Sequence, residues 1–228
     1  MIKYVSGLED IVLLNKINGG NCSGIFEFGD DRLFKLFDED YRDLSDPINV
    51  EFYDVIRYLS SLEGMPHIVR GKDIYRSRDE LFGYSMDKLV AENFRNISSA
   101  VEVDRVFSGF KVLSDDVRSL ADSFVKTEDI GGDNILYNGN MYLLDLDLSL
   151  VDKRYIPDEL YENTRRSVFR SLFKRVTGSN FTDIVKYDEY GHYIEKIVDN
   201  CSNYVDSDIK TIAQFKEAYQ KTYKKTTS

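Results

Sequence analysis

The sequence predicts an α+β fold, with a mostly β region and one helix over residues 1–87 and a mostly helical region over residues 88–228. Two observations carry this prediction. In the first region, short apolar runs alternate with turn residues such as Gly29-Asp30-Asp31, which is typical of an antiparallel sheet. In the second region, apolar residues recur at helical spacing over long stretches. The 228 residues suffice for one domain of two small lobes.

One helix is predicted in the first region, from Asn49 to Leu62. Its apolar residues recur at three- and four-residue steps and form one face, which consists of Phe52, Val55, Ile56, Leu59 and Leu62. Asp46-Pro47 gives a plausible start, because proline is favoured at the first helical position. Further helices are predicted from Ser114 onward to Phe124, over Leu160–Val176, and over Ile209–Tyr223.

The composition restricts the classes of function. A formal net charge of -10 and an isoelectric point of about 4.8 argue against nucleic-acid and anionic-membrane partners. Two cysteines, Cys22 and Cys201, and the lack of a signal peptide predict a cytoplasmic protein. Two histidines and no zinc-ligand spacing argue against a zinc site. No apolar run reaches membrane-spanning length.

A glycine-rich turn between two strands is predicted from Ile17 to Phe26. Glycine lets backbone N–H groups approach phosphate oxygens, because it has no Cβ. The predicted phosphate-binding residues are Gly19, Gly20, Asn21, Cys22, Ser23 and Gly24. A plain β-turn is the alternative interpretation. A P-loop is excluded because no Gly-Lys-Ser/Thr follows.

Lys35 lies inside the next apolar run, between Phe34 and Leu36. Side chains alternate between the faces of a strand, so Lys35 points away from both neighbours. Either the lysine faces solvent on an edge strand, or it binds an anion.

A segment in the middle of the chain carries acidic and amide side chains on either side of a predicted hairpin. Asp129 and Asn134 precede a predicted hairpin, whose turn is Asn138-Gly139 between two apolar runs. Asp145 follows the second strand. Asp129 is suited to accept or orient a hydroxyl proton, and the oxygens of Asn134 and Asp145 suit Mg²⁺. The alternative is two acidic loops beside a surface hairpin.

In this order, these segments resemble the protein-kinase-like superfamily over residues 11–150. Its catalytic motif H-R-D-x-x-x-x-N corresponds to Thr127-Glu128-Asp129 followed by Asn134, and its D-F-G to Asp145-Leu146-Asp147. Gly19 and Gly24 match two glycines of its G-x-G-x-x-G loop. The resemblance implies a shortened two-lobed kinase-like fold with ATP and Mg²⁺ bound between the lobes, similar to a minimal bacterial-type Ser/Thr protein kinase.

The resemblance also implies individual roles. Lys35 would grip the nucleotide phosphates and Glu51 would pair with it, with Asp54 as the competing partner. A solvated glutamate near a helix N-terminus is the other interpretation of Glu51. Asp129 would position the acceptor hydroxyl, and Asn134 and Asp145 would bind the metal. The backbone of Met86-Asp87-Lys88 would hold adenine.

Several positions depart from the family pattern. Thr127, Glu128 and Gly131 replace its His, Arg and loop Lys, and Asp147 replaces the glycine of D-F-G. An acidic residue at the last position resembles the aminoglycoside and choline kinase branches, which phosphorylate small molecules. The sequence therefore leaves three functions open: a kinase acting on Ser or Thr of a protein, a small-molecule kinase, and a nucleotide-binding regulator without strong catalysis.

Overall fold

The computed structural model describes residues 1–19, 23–128, 130–178 and 210–224, and they form an α+β fold. The helices of this part of the chain are α1 (Pro47–Ser61), α2 (Val103–Asp122), α3 (Pro157–Thr177) and α4 (Ile212–Lys224). The strands are β1 (Ile2–Tyr4), β2 (Lys16–Gly19), β3 (Ser23–Glu27), β4 (Arg32–Phe37), β5 (Asp73–Arg76), β6 (Leu81–Asp87), β7 (Glu92–Asn93), β8 (Val125–Lys126), β9 (Ile135–Tyr137), β10 (Met141–Leu143) and β11 (Leu150–Val151).

The chain divides into two compact units. The first unit consists of Met1–Gly64, Val69–Val90 and Asp145–Leu150. The second consists of Met65–Ile68, Ala91–Leu144 and Val151–Ser228. The boundary near residue 90 lies close to the predicted division at residues 87 and 88. The short segment Asp145–Leu150 belongs to the first unit although more than fifty residues of the second unit precede it in the sequence.

A six-stranded sheet forms the first unit, with the strand order β1-β5-β6-β4-β3-β2. All neighbouring strands are antiparallel except β1, which pairs with β5 in parallel. The sheet is therefore mixed, and the predicted antiparallel sheet is correct for every pair but this one. Parallel pairing needs a long connection, and here the whole chain between β1 and β5 supplies it.

Helix α1 covers one face of this sheet. It starts where proline and a capping residue predict, because the Asp46 carboxylate accepts a 2.9 Å hydrogen bond from the Ile48 N–H and Pro47 takes the first helical position. The buried residues between helix and sheet are Phe37, Tyr53, Ile56, Ile74, Leu81 and Tyr84. The core cluster that contains Phe34 is a separate one, with Ile11 and Phe82.

A bulge in β6 sends neighbouring residues to different clusters. The register of β5 on β6 shifts between the pairs Tyr75–Gly83 and Arg76–Leu81, which leaves Phe82 unpaired. Such a bulge changes the alternation of faces. As a result Leu81 and Tyr84 both pack beneath α1, whereas Phe82 packs with Phe34.

The second unit is mainly helical. Phe110 of α2 packs on Phe169 of α3 with ring centroids 5.5 Å apart, and Phe173 of α3 contacts Tyr219 of α4 at 5.6 Å. The predicted helix start at Ser114 is wrong. This residue lies inside α2, which begins at Val103, and its hydroxyl donates to the Phe110 carbonyl one turn earlier. The apolar side chains of the preceding turns carry the helix through this serine.

The predicted hairpin forms in the second unit. Tyr137 of β9 pairs with Met141 of β10 across the Asn138–Asn140 turn. Gly139 has φ of 104°, a conformation that favours glycine. At the other end of the hairpin, the Leu143 N–H donates a 2.8 Å hydrogen bond to the His67 carbonyl.

Candidate functional site

Lys35 lies on β4, an inner strand with β3 and β6 paired on either side. Its partners in register are Ile25 on β3 and Tyr84 on β6. Residues directly opposite each other share a face of the sheet, so the three side chains are neighbours. Only 8% of Lys35 is exposed. The interpretation of this residue as a solvent-facing lysine on an edge strand is therefore wrong.

Glycine is required at position 83, where β6 lies very close to β4. A Cβ at position 83 would lie 1.9 Å from the Lys35 carbonyl oxygen and 2.9 Å from Cε1 of Phe34. The φ of Gly83 is 155°. Its close approach keeps β6 against β4 and thereby fixes Tyr84 opposite Lys35.

Two carboxylates from the segment Asp145–Leu150 hold the Lys35 ammonium. Lys35 Nζ donates to Oδ1 of Asp145 and lies 2.6 Å from Oδ2 of Asp147. The second oxygen of Asp147, Oδ1, accepts a 2.8 Å hydrogen bond from the Tyr84 hydroxyl. Because Lys35 and Tyr84 are paired in register, the sheet itself sets the spacing of the two groups that hold Asp147.

Burial and charge oppose each other in this network. Burial lowers the pKa of Lys35, but the charges of Asp147 and Asp145 outweigh it, so the lysine pKa lies above its usual value. Burial raises the pKa of Asp147, and the Lys35 ammonium offsets only part of this effect. Burial and the Asp147 charge raise the pKa of Tyr84 well above its usual value, so the phenol stays a hydrogen-bond donor. Lys35 is therefore held as a cation.

The backbone at Asp145 has a conformation that is uncommon for a residue with a side chain. Its φ is 62°, in the left-handed region. Such a conformation costs about 1–2 kcal/mol, and aspartate tolerates it better than most residues. Strained residues of this kind concentrate at functional sites. Here the turn brings both Asp145 and Asp147 to the same lysine.

The predicted ion pair between Lys35 and Glu51 is absent. Glu51 is exposed on α1, and Lys35 is instead paired with Asp145 and Asp147. The competing partner, Asp54, is also exposed and lies 3.0 Å from Arg57 on the same helix. Asp145, which was predicted to bind metal only, is thus also a partner of the lysine. The catalytic role of Glu51 stays a prediction.

The glycine-rich segment is described at its two ends. Gly19 ends β2, Ser23 begins β3, and Gly19 is paired with Gly24 across the two strands. A Cβ at position 24 would lie 2.7 Å from a ring carbon of Phe26, so this strand pair leaves little room there. The other three predicted phosphate-binding residues lie outside the described residues, namely Gly20, Asn21 and Cys22.

The predicted adenine-binding segment spans the end of β6. Met86 and Asp87 pair with β4, and Asp87 lies 2.6 Å from the Lys72 ammonium. The Lys88 N–H donates to the Asp31 carbonyl at 3.0 Å. These backbone contacts tie the segment to the sheet, and its adenine-binding role stays a prediction.

The second unit contains the segment that follows Asp129, which itself lies outside the described residues. A 3-10 turn ends at Asn134, whose carbonyl accepts a 3.0 Å hydrogen bond from the Leu144 N–H. This bond closes the open end of the hairpin. The preceding residue, Asp133, lies 2.6 Å from the Arg95 guanidinium. The metal-binding role of Asn134 stays a prediction.

The two residues that differ from the family motif before Asp129 make local contacts. Thr127 Oγ1 lies 2.7 Å from Thr164 Oγ1 of α3. Glu128 lies 2.6 Å from the Lys126 ammonium. Neither of these two positions supplies a basic side chain of the kind that the family's Arg provides.

Asp145 and Asp147 form a pair of carboxylates that suits a hard cation. Asp145 is 46% exposed and Asp147 is 9% exposed. Among the described residues, no group of three or more His, Cys, Asp or Glu could hold a metal. Mg²⁺ commonly binds through one or two carboxylates together with water and phosphate oxygens. The pair therefore fits Mg²⁺ that arrives with a nucleotide better than a metal held by the protein alone.

Two members of the network, Asp147 and Tyr84, have no predicted role in holding Lys35. Asp147 was interpreted as a replaced family glycine, and Tyr84 received no role. A signal for Asp147 was present, because Asp145 and Asp147 flank Leu146, which is buried. No local signal existed for Tyr84, since its position opposite Lys35 depends on the pairing of β4 with β6.

Comparisons with known proteins found no match, either to a family model or to a curated protein. Within the part of the chain that the structure describes, no helix has both the length and the apolar character needed to cross a membrane.

Proposed function

We propose that the protein is an ATP- and Mg²⁺-dependent phosphotransferase that transfers the γ-phosphoryl group to a hydroxyl. The observation that carries the proposal is the network of Lys35 with Asp145 and Asp147 in the first unit. A buried lysine on an inner strand is held beside two carboxylates on one short segment. This set supplies both charges that a Mg²⁺–nucleotide complex needs: a cation for the phosphates and anions for the metal.

The network is suited to exchange its internal partners for a ligand. Without a ligand, the Lys35 ammonium is paired with both carboxylates and compensates only part of their charge. Lys35 would bind the phosphate oxygens of Mg-ATP, and Asp145 and Asp147 would bind the Mg²⁺, whose charge would offset that of the carboxylates and the phosphates. Asp145 is half exposed, so it can be reached by a metal that retains several waters.

The Tyr84 hydroxyl keeps Asp147 in place during this exchange. It donates to Oδ1 of Asp147, so that the carboxylate retains one hydrogen bond when Lys35 turns to a phosphate. The raised pKa of Tyr84 keeps the proton on the phenol. Gly19 and Gly24, which end and flank the glycine-rich segment, would supply backbone N–H groups to the phosphates.

The remaining roles come from the sequence. Asp129 orients the acceptor hydroxyl, and Asn134 completes the metal ligands, as the family pattern implies. Phosphoryl transfer depends mostly on positioning and on neutralisation of charge, so few residues are required. A hydroxyl of Ser or Thr in a protein is the proposed acceptor. The acidic residue at position 147 favours a small-molecule hydroxyl as the second candidate.

Binding of Mg-ATP to the purified protein tests the nucleotide part of the proposal. Titration calorimetry with wild type should show binding that depends on Mg²⁺ and is lost in Lys35→Met. Lys3→Met is a matched control, because it removes a lysine from β1, at the opposite edge of the same sheet from the glycine-rich segment. Absence of binding at millimolar Mg-ATP, with the protein folded, contradicts the proposal, as does equal weakening by both variants.

Transfer is tested with γ-labelled ATP, Mg²⁺ and a total cell extract. Label on proteins indicates the first acceptor class, and label on small molecules indicates the second. Asp129→Asn should abolish transfer and leave ATP affinity nearly unchanged, because the proposed contact is with the acceptor. Binding of Mg-ATP without any transfer would instead indicate a nucleotide-binding regulator.

A further inference from the structure

The second unit contains a basic pocket of about 380 Å³. Its lining residues are Arg95, Gly132, Ser171, Lys174, Arg175 and Lys216. Of these six described residues, four are cationic and none is acidic. The whole chain has 40 acidic residues against 30 lysines and arginines, so the local excess of positive charge runs against the overall composition.

The four cations come from separate parts of the fold. Lys174 and Arg175 belong to the last turn of α3, where the helix dipole favours positive charge. The dipole accounts for these two alone. Lys216 comes from α4, and Arg95 from the turn that follows β7. The helix dipole therefore does not explain why cations from α3, from α4 and from the turn after β7 line the same pocket.

Close packing holds the side chains at the pocket. A Cβ on Gly132 would lie 2.8 Å from Nε and 3.0 Å from Cγ of Arg95, so the arginine lies directly over this glycine. Arg175 Nη2 donates to the Ile97 carbonyl. Lys216 packs over Gly178, where an added Cβ would lie 2.5 Å from the lysine Cε. These contacts position Arg95, Arg175 and Lys216, whereas Lys174 is exposed.

Within the described residues, most of the positive charge in the pocket has no acidic partner. Arg95 is paired with Asp133 at 2.6 Å. Lys174 and Lys216 have no ion pair with any residue that the structure describes. Nε of Arg175 is buried and has no hydrogen-bond partner within the described ranges. A buried donor without a partner is costly, and an anion in the pocket would remove that cost.

We propose that this basic pocket binds a small molecule that carries a phosphate monoester group. A phosphate dianion matches several converging cations, and its oxygens can accept from lysine, guanidinium and the Ser171 hydroxyl. The volume is within the range of small-molecule sites, and leaves room for an organic part beside the phosphate. The proposal does not depend on ATP binding, because every lining residue belongs to the second unit and none has a role in holding the nucleotide.

The proposal also bears on the acceptor, in a step that rests on the proposed function. Gly132 follows Asp129 by three residues. If the proposed function holds, a phosphate ester bound in this pocket is a candidate acceptor of the second class, a small molecule.

Direct binding of phosphate esters to the full chain tests the pocket. The probes are glycerol 3-phosphate and ribose 5-phosphate, and their binding is measured by calorimetry without ATP. Inorganic phosphate, glycerol and a phosphoserine peptide are measured for comparison. Both esters should bind in the millimolar range or better, more tightly than inorganic phosphate, and glycerol should not bind. Affinity should fall with increasing salt, since exposed charges are screened.

Three variants locate the binding. Lys174→Gln/Lys216→Gln should weaken ester binding about five- to thirtyfold, the range for two partly exposed charge contacts. Ser171→Ala should weaken it about two- to fivefold without a change in charge. The control Lys111→Gln removes a single positive charge from an exposed position on α2 and should leave affinity unchanged. Thermal unfolding of each variant shows that it is folded.

Three outcomes overturn the proposal. If no ester binds to wild type at 10 mM or below (about the weakest affinity worth calling a site), the pocket is not an anion site. If the double variant and Lys111→Gln lose the same affinity, binding reflects overall charge. If inorganic phosphate or the phosphoserine peptide binds more tightly than both esters, the ligand is not a small phosphate ester. A failure to bind ATP leaves each of these measurements unchanged.

Discussion

Replacement of Lys35 by methionine tests the network of the first unit through stability, independently of any catalysis. Methionine has a similar length but no charge, so Lys35→Met leaves Asp147 buried with only the Tyr84 hydroxyl as a partner. Breaking a buried ion pair by removal of one partner costs about 3–5 kcal/mol. The largest part of that cost is the uncompensated carboxylate.

Protonation limits this cost and makes it depend on pH. The ordinary pKa of an aspartate is 3.8, so neutralising it at pH 7 costs about 1.4 kcal/mol for each of about 3.2 pH units, or about 4 kcal/mol in all. We therefore expect Lys35→Met to lower the free energy of unfolding by about 3–4 kcal/mol at pH 7. At pH 5, neutralising the carboxylate by protonation costs only about 1.6 kcal/mol, so the loss of stability cannot exceed that value.

The direction in which the destabilisation by Lys35→Met changes with pH follows from proton linkage. Without Lys35, burial holds the pKa of Asp147 in the folded state above 3.8. Between 3.8 and that raised pKa, the folded state binds more protons than the unfolded state, so stability falls as pH rises. Relative to wild type, the variant should thus be least destabilised at the acidic end.

Urea unfolding at pH 5, 6 and 7 measures the difference. Wild type, Lys35→Met, Lys35→Met/Asp147→Asn and the control Lys72→Met are compared. The double variant should recover at least half of the lost stability at pH 7, because asparagine removes the buried charge. Lys72→Met should cause a much smaller change, since its partner Asp87 is exposed. A loss in Lys35→Met that is the same at every pH, or no recovery in the double variant, refutes this account.

Three further predictions concern the same unit. Gly83→Ala should lower the free energy of unfolding by at least about 2 kcal/mol, because its Cβ would lie 1.9 Å from the Lys35 carbonyl oxygen. The control Gly29→Ala has open space around it and should cost about 1 kcal/mol, from its positive φ alone. Equal losses of the two variants in denaturant unfolding contradict this prediction. Asp145→Asn should weaken Mg²⁺-dependent ATP binding about tenfold in calorimetry yet change stability by less than about 1 kcal/mol, because the side chain is 46% exposed; unchanged Mg²⁺ dependence removes it from the metal site. The raised pKa of Lys35 means that its stabilising contribution is complete below pH 10.5 and is lost as pH rises from 10.5 through the higher pKa of the folded state. The unfolding temperature, measured from about pH 10 to about pH 12, should therefore fall more steeply for wild type than for Lys35→Met, and parallel curves contradict this.

The sequence by itself determined the elements that depend on near neighbours. The capping residue Asp46, the proline after it and the apolar face of the following turns predict α1, and the predicted range Asn49–Leu62 differs from the observed Pro47–Ser61 by two residues at the start and one at the end. Asn138-Gly139 fixes the turn between β9 and β10. The opposite orientation of Lys35 and its neighbours also followed from the period of a strand. At Ser114 the local rule failed, because a serine inside a helix can bond to the preceding turn.

The tertiary structure decided which groups meet. Lys35 and Asp145 are 110 residues apart in sequence, and no spacing within either segment shows that they form an ion pair. The choice of Asp145 and Asp147 over Glu51 depends on the pairing of β4 with β6, on Gly83, and on the left-handed turn at Asp145. The basic pocket has the same origin, since Arg95, Lys174 and Lys216 come from three elements. Local propensities act over a few residues, whereas the contacts of a site depend on packing between distant segments, which a single sequence leaves unspecified.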